Sequence, residues 1–128
     1  MERTNISTGT PWEEAVGYSR AVRVGPFVHV TGTIAAGEDG KIIGAGEPYV
    51  QTKAAIEKIQ RALESAGASL ADVVRTRLYV TNLDQWERIG AAHREFFGNI
   101  RPCTTMVEVS RLFAGALVEI EAEAIVSE

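Results

Sequence analysis

"VVRTRLYV", residues 73–80, alternates in character. Val74, Thr76, Leu78 and Val80 fall on one side, and Arg75, Arg77 and Tyr79 on the other. A period of two is the pattern of a strand with one face against a core. The segment stands between two stretches of helical period. Upstream, small and apolar residues recur at 52, 55, 56, 59, 62, 63 and 66, which is one helical stripe. Pro48 suits the first turn of that helix and Gly67 its C-terminal cap, with "SLAD" (69–72) a one-turn link into the strand. Downstream, Asn82 or Asp84 can cap a second helix, whose stripe is Trp86, Ile89, His93, Phe96 and Phe97 and whose end is Gly98.

Further strands flank this centre. "RPCTTMVEVS" (101–110) places Val107 and Val109 on one side and Met106, Glu108 and Ser110 on the other. "ALVEIEAEAIV" (116–126) sets Val118, Ile120, Ala122 and Ala124 against Leu117, Glu119, Glu121, Glu123 and Ile125. Near the N-terminus, Arg20–Val24 and Phe27–Thr33 read as two strands joined at Gly25-Pro26. "AGEDGK" (36–41) reads as a turn before a short strand at Ile42-Ile43. The order is strands, helix, strand, helix, two strands. It predicts an α+β fold in which two helices cover one face of a mixed sheet. The uncovered face is expected to carry Arg75, Arg77, Tyr79, Met106, Glu108, Glu119 and Glu121. Its mix of large apolar groups with both signs of charge points to burial against other copies of the chain.

Composition narrows the function. The 128 residues suit one domain, 1–128, and 45% hydrophobic with 23% charged residues is ordinary for a globular protein. The formal net charge of −4 does not favour nucleic acid or an anionic membrane, which reward clustered Lys and Arg. The one cysteine, Cys103, permits no internal disulfide and reads as a small buried residue rather than a nucleophile. "MERTNISTGT" lacks the apolar core of a secretory signal, and no apolar run approaches the roughly 20 residues that span a bilayer. These features lead us to expect a cytoplasmic protein. His29 and His93 read as packing or interface residues, without the acidic partners of a zinc or iron site. Trp86, Phe96 and Phe97 read as core; Trp12 has no assigned place.

"TMVEVSRL" (105–112), followed after five residues by "VEIEAEAIV" (118–126), resembles the C-terminal pattern of the RidA/YjgF family. "GYSRAVRVGPFVHVTGTI" (17–34) resembles its first hairpin, and "AGASLADVVRTRLYVTNLDQW" (66–86) its central strand. The resemblance covers nearly the whole chain. It implies the family's chorismate-mutase-like fold and a homotrimer, with sheets facing inward and small-molecule sites in clefts between subunits. It also implies hydrolysis of reactive enamines and imines to a 2-keto acid and ammonia, with no cofactor.

Carried over residue by residue, Tyr18 falls at the family's cleft tyrosine. Gly32 falls at the glycine whose backbone nears the ligand, and Glu119 at the glutamate that holds or activates water. Three positions depart. Thr104 stands where the deaminases carry the arginine that grips the substrate carboxylate, Met106 where they carry a cysteine, and Gly90 where a helix asparagine often lines the pocket. Thr104 and Thr105 offer hydroxyls and backbone N–H groups in place of a guanidinium. Losing one charge-assisted hydrogen bond, roughly 1.5–3 kcal/mol, weakens binding about tenfold to a hundredfold. Either Arg101 or Arg20 substitutes, or the ligand is not a simple 2-imino acid. The changes at Gly90 and Met106 favour the second reading and a larger or more apolar ligand. The competing functions are a non-catalytic trimer that binds a metabolite or regulates a partner, and a ribonuclease, which the acidic balance opposes.

Overall fold

The computed structural model describes residues 1–127. Six strands form one sheet: β1 (Arg3–Ile6), β2 (Ala21–Val24), β3 (Phe27–Thr33), β4 (Val73–Val80), β5 (Cys103–Glu108) and β6 (Val118–Ile125). Their spatial order is β1-β2-β3-β6-β4-β5. Every pairing is antiparallel except β4 with β5, which the crossover helix α3 (Trp86–Phe97) makes parallel. Helix α2 (Pro48–Ser65) links β3 to β4, and β6 inserts between those two strands. The α+β architecture, a mixed sheet with α2 and α3 on one face, is as the sequence pattern predicts.

The core lies between the sheet and α2. Ala55, Ile56, Ile59, Ala62 and Leu63 of the helix pack over Val28, Val30, Leu78, Ile120, Ala122 and Ala124, all buried. The alanines on β6 keep the sheet surface shallow under the helix. The helix begins at Pro48, and Gly67 just past its end takes φ +80°. That left-handed conformation is the one glycine adopts without a Cβ penalty. Gln51, fully buried in α2, donates to the carbonyl of Gly44 and accepts from the Leu117 N–H, so its amide is satisfied at both ends.

Several sequence expectations need correction. The N-terminal segment forms β1 and a six-residue helix α1 (Pro11–Val16), neither of which the apolar pattern signals. Thr10 caps α1, with Pro11 following it and Glu13 three residues on, a spacing that marks a helix start. Val74 is exposed and Val73 buried, because the pairing of β4 with β6 slips by one residue between Val73 and Arg75. Met106 and Glu108 leave the open face: in the parallel register they sit beside Leu78 and Val80, on the helix side. Ile42 makes only an isolated bridge to Ala36. Cys103 is exposed. Trp86 is 57% exposed. A helical side chain leans toward the N-terminus, so at the first residue of α3 it overhangs the helix end.

The open face carries His29, Arg75, Arg77, Tyr79, Glu119, Glu121 and Glu123. Phe27, Val107 and Ile125 lie among them, each more than 40% exposed. Arg77 bonds Glu123 at 2.6 Å and lies 3.9 Å from Glu121, and the Tyr79 hydroxyl donates to Glu121 at 2.7 Å. These cross-strand pairs tie β4 to β6 without covering the apolar groups between them.

Ile59→Ala, which empties volume in the centre of the core, is expected to destabilise the chain by about 2–5 kcal/mol. Denaturant unfolding measures this directly; a loss below 1 kcal/mol would mean that α2 is not closely packed on the sheet.

Candidate functional site

The site begins with a flaw in pairing. Val30 faces Ala122 on β6, yet Thr33 faces Ile120, so β3 holds one residue more than its partner. The bulge turns Thr33 into the core, where it is fully buried, and leaves Gly32 against the side chain of Glu119. A Cβ at position 32 would lie 2.1 Å from Glu119 Oε2. Only glycine leaves the room this carboxylate occupies.

Glu119 is half-buried. Burial raises its pKa and the neighbouring Glu121 adds to the rise, while Arg20 opposes both. Beside it stands Arg20, only 6% exposed. Its Nη1 donates to the Gly32 carbonyl and to Thr33 Oγ1, both at 3.2 Å, and Nη2 reaches the Tyr18 hydroxyl at 3.5 Å. The guanidinium also lies 5.6 Å from the centre of the Tyr18 ring. Arg20 therefore fixes the bulge and the tyrosine together.

The charge of Arg20 is balanced from the N-terminal segment. Glu13 Oε2 lies 3.9 Å from Arg20 Nε, and both groups are buried. Burial by itself would raise the Glu13 pKa. Hydrogen bonds from the Thr8 and Thr10 side chains, the Thr8 N–H and the Ser7 hydroxyl together outweigh it and hold the carboxylate below its usual range. The polar run Ser7–Thr10 is thus a carboxylate cradle, invisible to an apolar-periodicity reading.

Tyr18, Arg20, Gly32 and Glu119 line one cavity of about 390 Å³ with Trp12, Lys58, Phe113 and the turn Gly37–Gly40. That volume is at the small-molecule scale, roughly 300–1,000 Å³. Tyr18, Gly32 and Glu119 are the expected residues that meet here, and Trp12 takes its place in the wall. The sequence reading missed Lys58 and Phe113. Lys58 precedes the buried Ile59 on the α2 stripe, but only the tertiary packing aims it at the cavity mouth.

The other expected residues lie at the far edge of the sheet. Thr104 and Thr105 are on the edge strand β5. Thr104 Oγ1 is 2.8 Å from Thr76 Oγ1, which is in turn 2.9 Å from His93 Nε2 on α3. Burial lowers the His93 pKa, so the imidazole is neutral at pH 7. Met106 packs at the margin of the core, and Gly90 sits one turn before His93 with open space where a Cβ would be. Arg101, with φ +57°, lines an open cleft beside His93, apart from Glu119. One chain therefore places the expected residues in two separate groups, one around Glu119 and one around Thr104. Among the described residues, no three His, Cys, Asp or Glu side chains converge as a metal site requires, and no helix is long and apolar enough to cross a membrane.

The comparisons with known proteins agree with this fold. The family described as Endoribonuclease L-PSP matches residues 10–126. A RutC family protein of Pyrococcus abyssi is 41% identical over 105 residues, 82% of this chain and 83% of its own. A Streptomyces coelicolor protein is 38% identical over 93% of this chain and 89% of its own. Among solved structures, Rv2704 of Mycobacterium tuberculosis, a member of the YjgF/YER057c/UK114 family, superposes with a TM-score of 0.89 at 51% identity. The match covers 98% of this chain and all of that one. A Rid family protein of Yersinia pestis gives 0.87 at 29% identity, covering 98% of this chain and all of that one. With the family model matched over residues 10–126 and relatives above 30% identity along most of its length, the chain belongs to the RidA/YjgF family.

Proposed function

We propose that the chain is a cofactor-independent hydrolase of reactive enamines and imines, acting in the cytoplasm as a homotrimer of one-domain subunits. The observation that carries the reading is Glu119: a half-buried carboxylate of raised pKa, laid across a glycine in a small-molecule cavity. An iminium carbon is already electrophilic, so catalysis needs a positioned water, a base and a proton donor. Glu119 takes a proton from water as its oxygen adds to the C=N carbon, giving a carbinolamine. It then returns that proton to the nitrogen, and as the C–N bond breaks the carbinolamine hydroxyl gives up its proton to the departing ammonia. Iminium and water become carbonyl and ammonium, and the carboxylate is restored. Tyr18, held by Arg20, orients the substrate.

The two groups support assembly. The Glu119 cavity and the Thr104–Thr76–His93 chain lie at different places on one sheet, and the open face between them exposes Phe27, Val107 and Ile125. Burying that face between three copies would bring the β5 edge of one subunit to the Glu119 cavity of the next. There Thr104, Thr105 and the neutral His93 supply uncharged donors and acceptors where the deaminases present an arginine. Sedimentation is expected to give three times the mass of the chain at micromolar concentration; a monomer would remove the inter-subunit cleft.

The rate of decay of freshly generated imines tests the chemistry. Glu119→Gln is expected to lower kcat/KM by roughly 10²–10⁴ while keeping the assembly state. Gly32→Ala, which displaces the same carboxylate, is expected to cost a similar factor. Undiminished turnover in Glu119→Gln would exclude its role, and no turnover of any imine by wild type would favour a metabolite-binding trimer.

Stability gives an independent check with a defined sign. A carboxyl whose pKa is raised on folding binds its proton more tightly in the native state than in the unfolded one. Stability is therefore lost as pH rises from the unfolded carboxylate range through the folded pKa. Glu119→Gln is expected to be more stable than wild type at pH 7, with the advantage vanishing below about pH 4. Equal stability at both pH values would show that Glu119 is not held at an energetic cost.

A further inference from the structure

The cavity that holds Glu119 also carries a cation the hydrolase reading does not use. Lys58 reaches out of α2 and its Nζ donates to the carbonyls of Ile34 and Ala36, at 3.1 and 3.0 Å. An ammonium has three N–H donors, so one remains open to the cavity. Among the described residues, no carboxylate forms an ion pair with Lys58. The charge of Arg20 acts on both Lys58 and Glu119, adding to the downward shift at Lys58 and opposing the upward shift at Glu119. Burial is the larger cause at Lys58, and the repulsion from Arg20 and Arg61 adds to it against the pull of Glu13. Glu13 forms an ion pair with Arg20 and none with Lys58, on which its pull is the smallest of these effects. An anion placed beside Lys58 would relieve both the burial and the repulsion.

The rim is apolar. Trp12 and Phe113 lie 6.3 Å apart, centroid to centroid, at 33°. Phe113 is 71% exposed and Val16, also on the rim, 72%. The loop that presents Phe113 holds Ala114 at φ +57°. A left-handed residue with a Cβ is strained, and such conformations cluster where a ligand is clamped.

We propose that Lys58, with Arg20, is the carboxylate-binding end of this cavity and that Trp12 and Phe113 form a shelf for a bulky apolar group, so that the ligand is a 2-imino or 2-oxo acid with an aryl-sized side chain. The cation that β5 lacks at Thr104 is supplied from α2 on the opposite wall. The carboxylate then lies at Lys58, the reacting carbon near Glu119, and the side chain against the rim. The reaction assigned to such a ligand rests on the C=N hydrolase reading; the binding does not.

Calorimetry with three stable probes tests the assignment: phenylpyruvate, which has both features, pyruvate, which lacks the ring, and phenylacetone, which lacks the carboxylate. Wild type is expected to bind phenylpyruvate at least tenfold more tightly than either of the others. Lys58→Met is expected to weaken phenylpyruvate roughly tenfold to a hundredfold and leave phenylacetone unchanged, while Lys58→Arg holds phenylpyruvate within a few-fold. Phe113→Ala is expected to weaken both aryl probes. Should Lys58→Met not fold, acetylation of wild type decides: phenylpyruvate protects Lys58 and phenylacetone does not. Equal affinity for phenylpyruvate and phenylacetone, or an unprotected Lys58, overturns the proposal. Failure of the hydrolase reading looks different, as absent turnover of imines with the discrimination among the three probes intact.

Discussion

Strand β6 is the constraint on which the rest of the molecule depends. The chain first builds a hairpin region, β1 to β3, and then a β4-α3-β5 unit, and these halves have no strand pairing with each other. The last strand joins them, pairing with β3 on one side and β4 on the other. Its sequence serves both faces at once. Val118, Ile120, Ala122 and Ala124 lie under α2, and Glu119, Glu121 and Glu123 meet the arginines and tyrosine of β4 or the bulge of β3. Because a one-residue slip would exchange the two faces, the register of β6 is strongly specified.

The candidate site is a consequence of that register. With β6 fixed, the extra residue in β3 has to be accommodated at Thr31–Gly32, and the glutamate opposite is pushed into a space that only glycine leaves open. A carboxylate placed there is partly desolvated, and its nearest compensation is Arg20. That cation is buried in turn, and is held by Gly32, Thr33, Tyr18 and Glu13. A buried charge without partners costs several kcal/mol, so these groups form one connected network rather than separate contacts. Glu13 brings the N-terminal segment into it, which explains why Ser7, Thr8 and Thr10 converge on one side chain. The cation left outside this balance is Lys58, and it faces the cavity.

The departures at Thr104, Met106 and Gly90 acquire a physical meaning in this setting. Thr104 is not an isolated hydroxyl. It ends a chain through Thr76 to a neutral His93, which also stacks against Phe97 at 4.6 Å. Such a chain supplies a directed hydrogen bond without fixed charge. The cavity around Glu119, which Thr104 does not line, carries the cations Arg20 and Lys58.

The sequence by itself determined the family, the order of the main strands and helices, and which face of each was apolar, because period and spacing report directly on local geometry and burial. It also pointed to Tyr18, Gly32 and Glu119, through resemblance to family motifs rather than through any pattern of their own. What it did not determine is where pairing slips. The slips at Val30/Thr33 and Val73/Arg75 are settled between strands, by the competition of whole registers, and they decide that Val74 faces out and Gly32 faces Glu119. Likewise β5 keeps the alternation of Met106 and Val107, but it is Met106, beside Leu78, and not Val107 that turns to the core, so its apolar face is the reverse of the one read from the sequence. Lys58, Phe113 and the Glu13 cradle belong to the same class. Their residues are scattered along the chain and share no period, so only the tertiary structure, by packing α1, α2 and the Phe113 loop around the β3 bulge, brought them to one cavity.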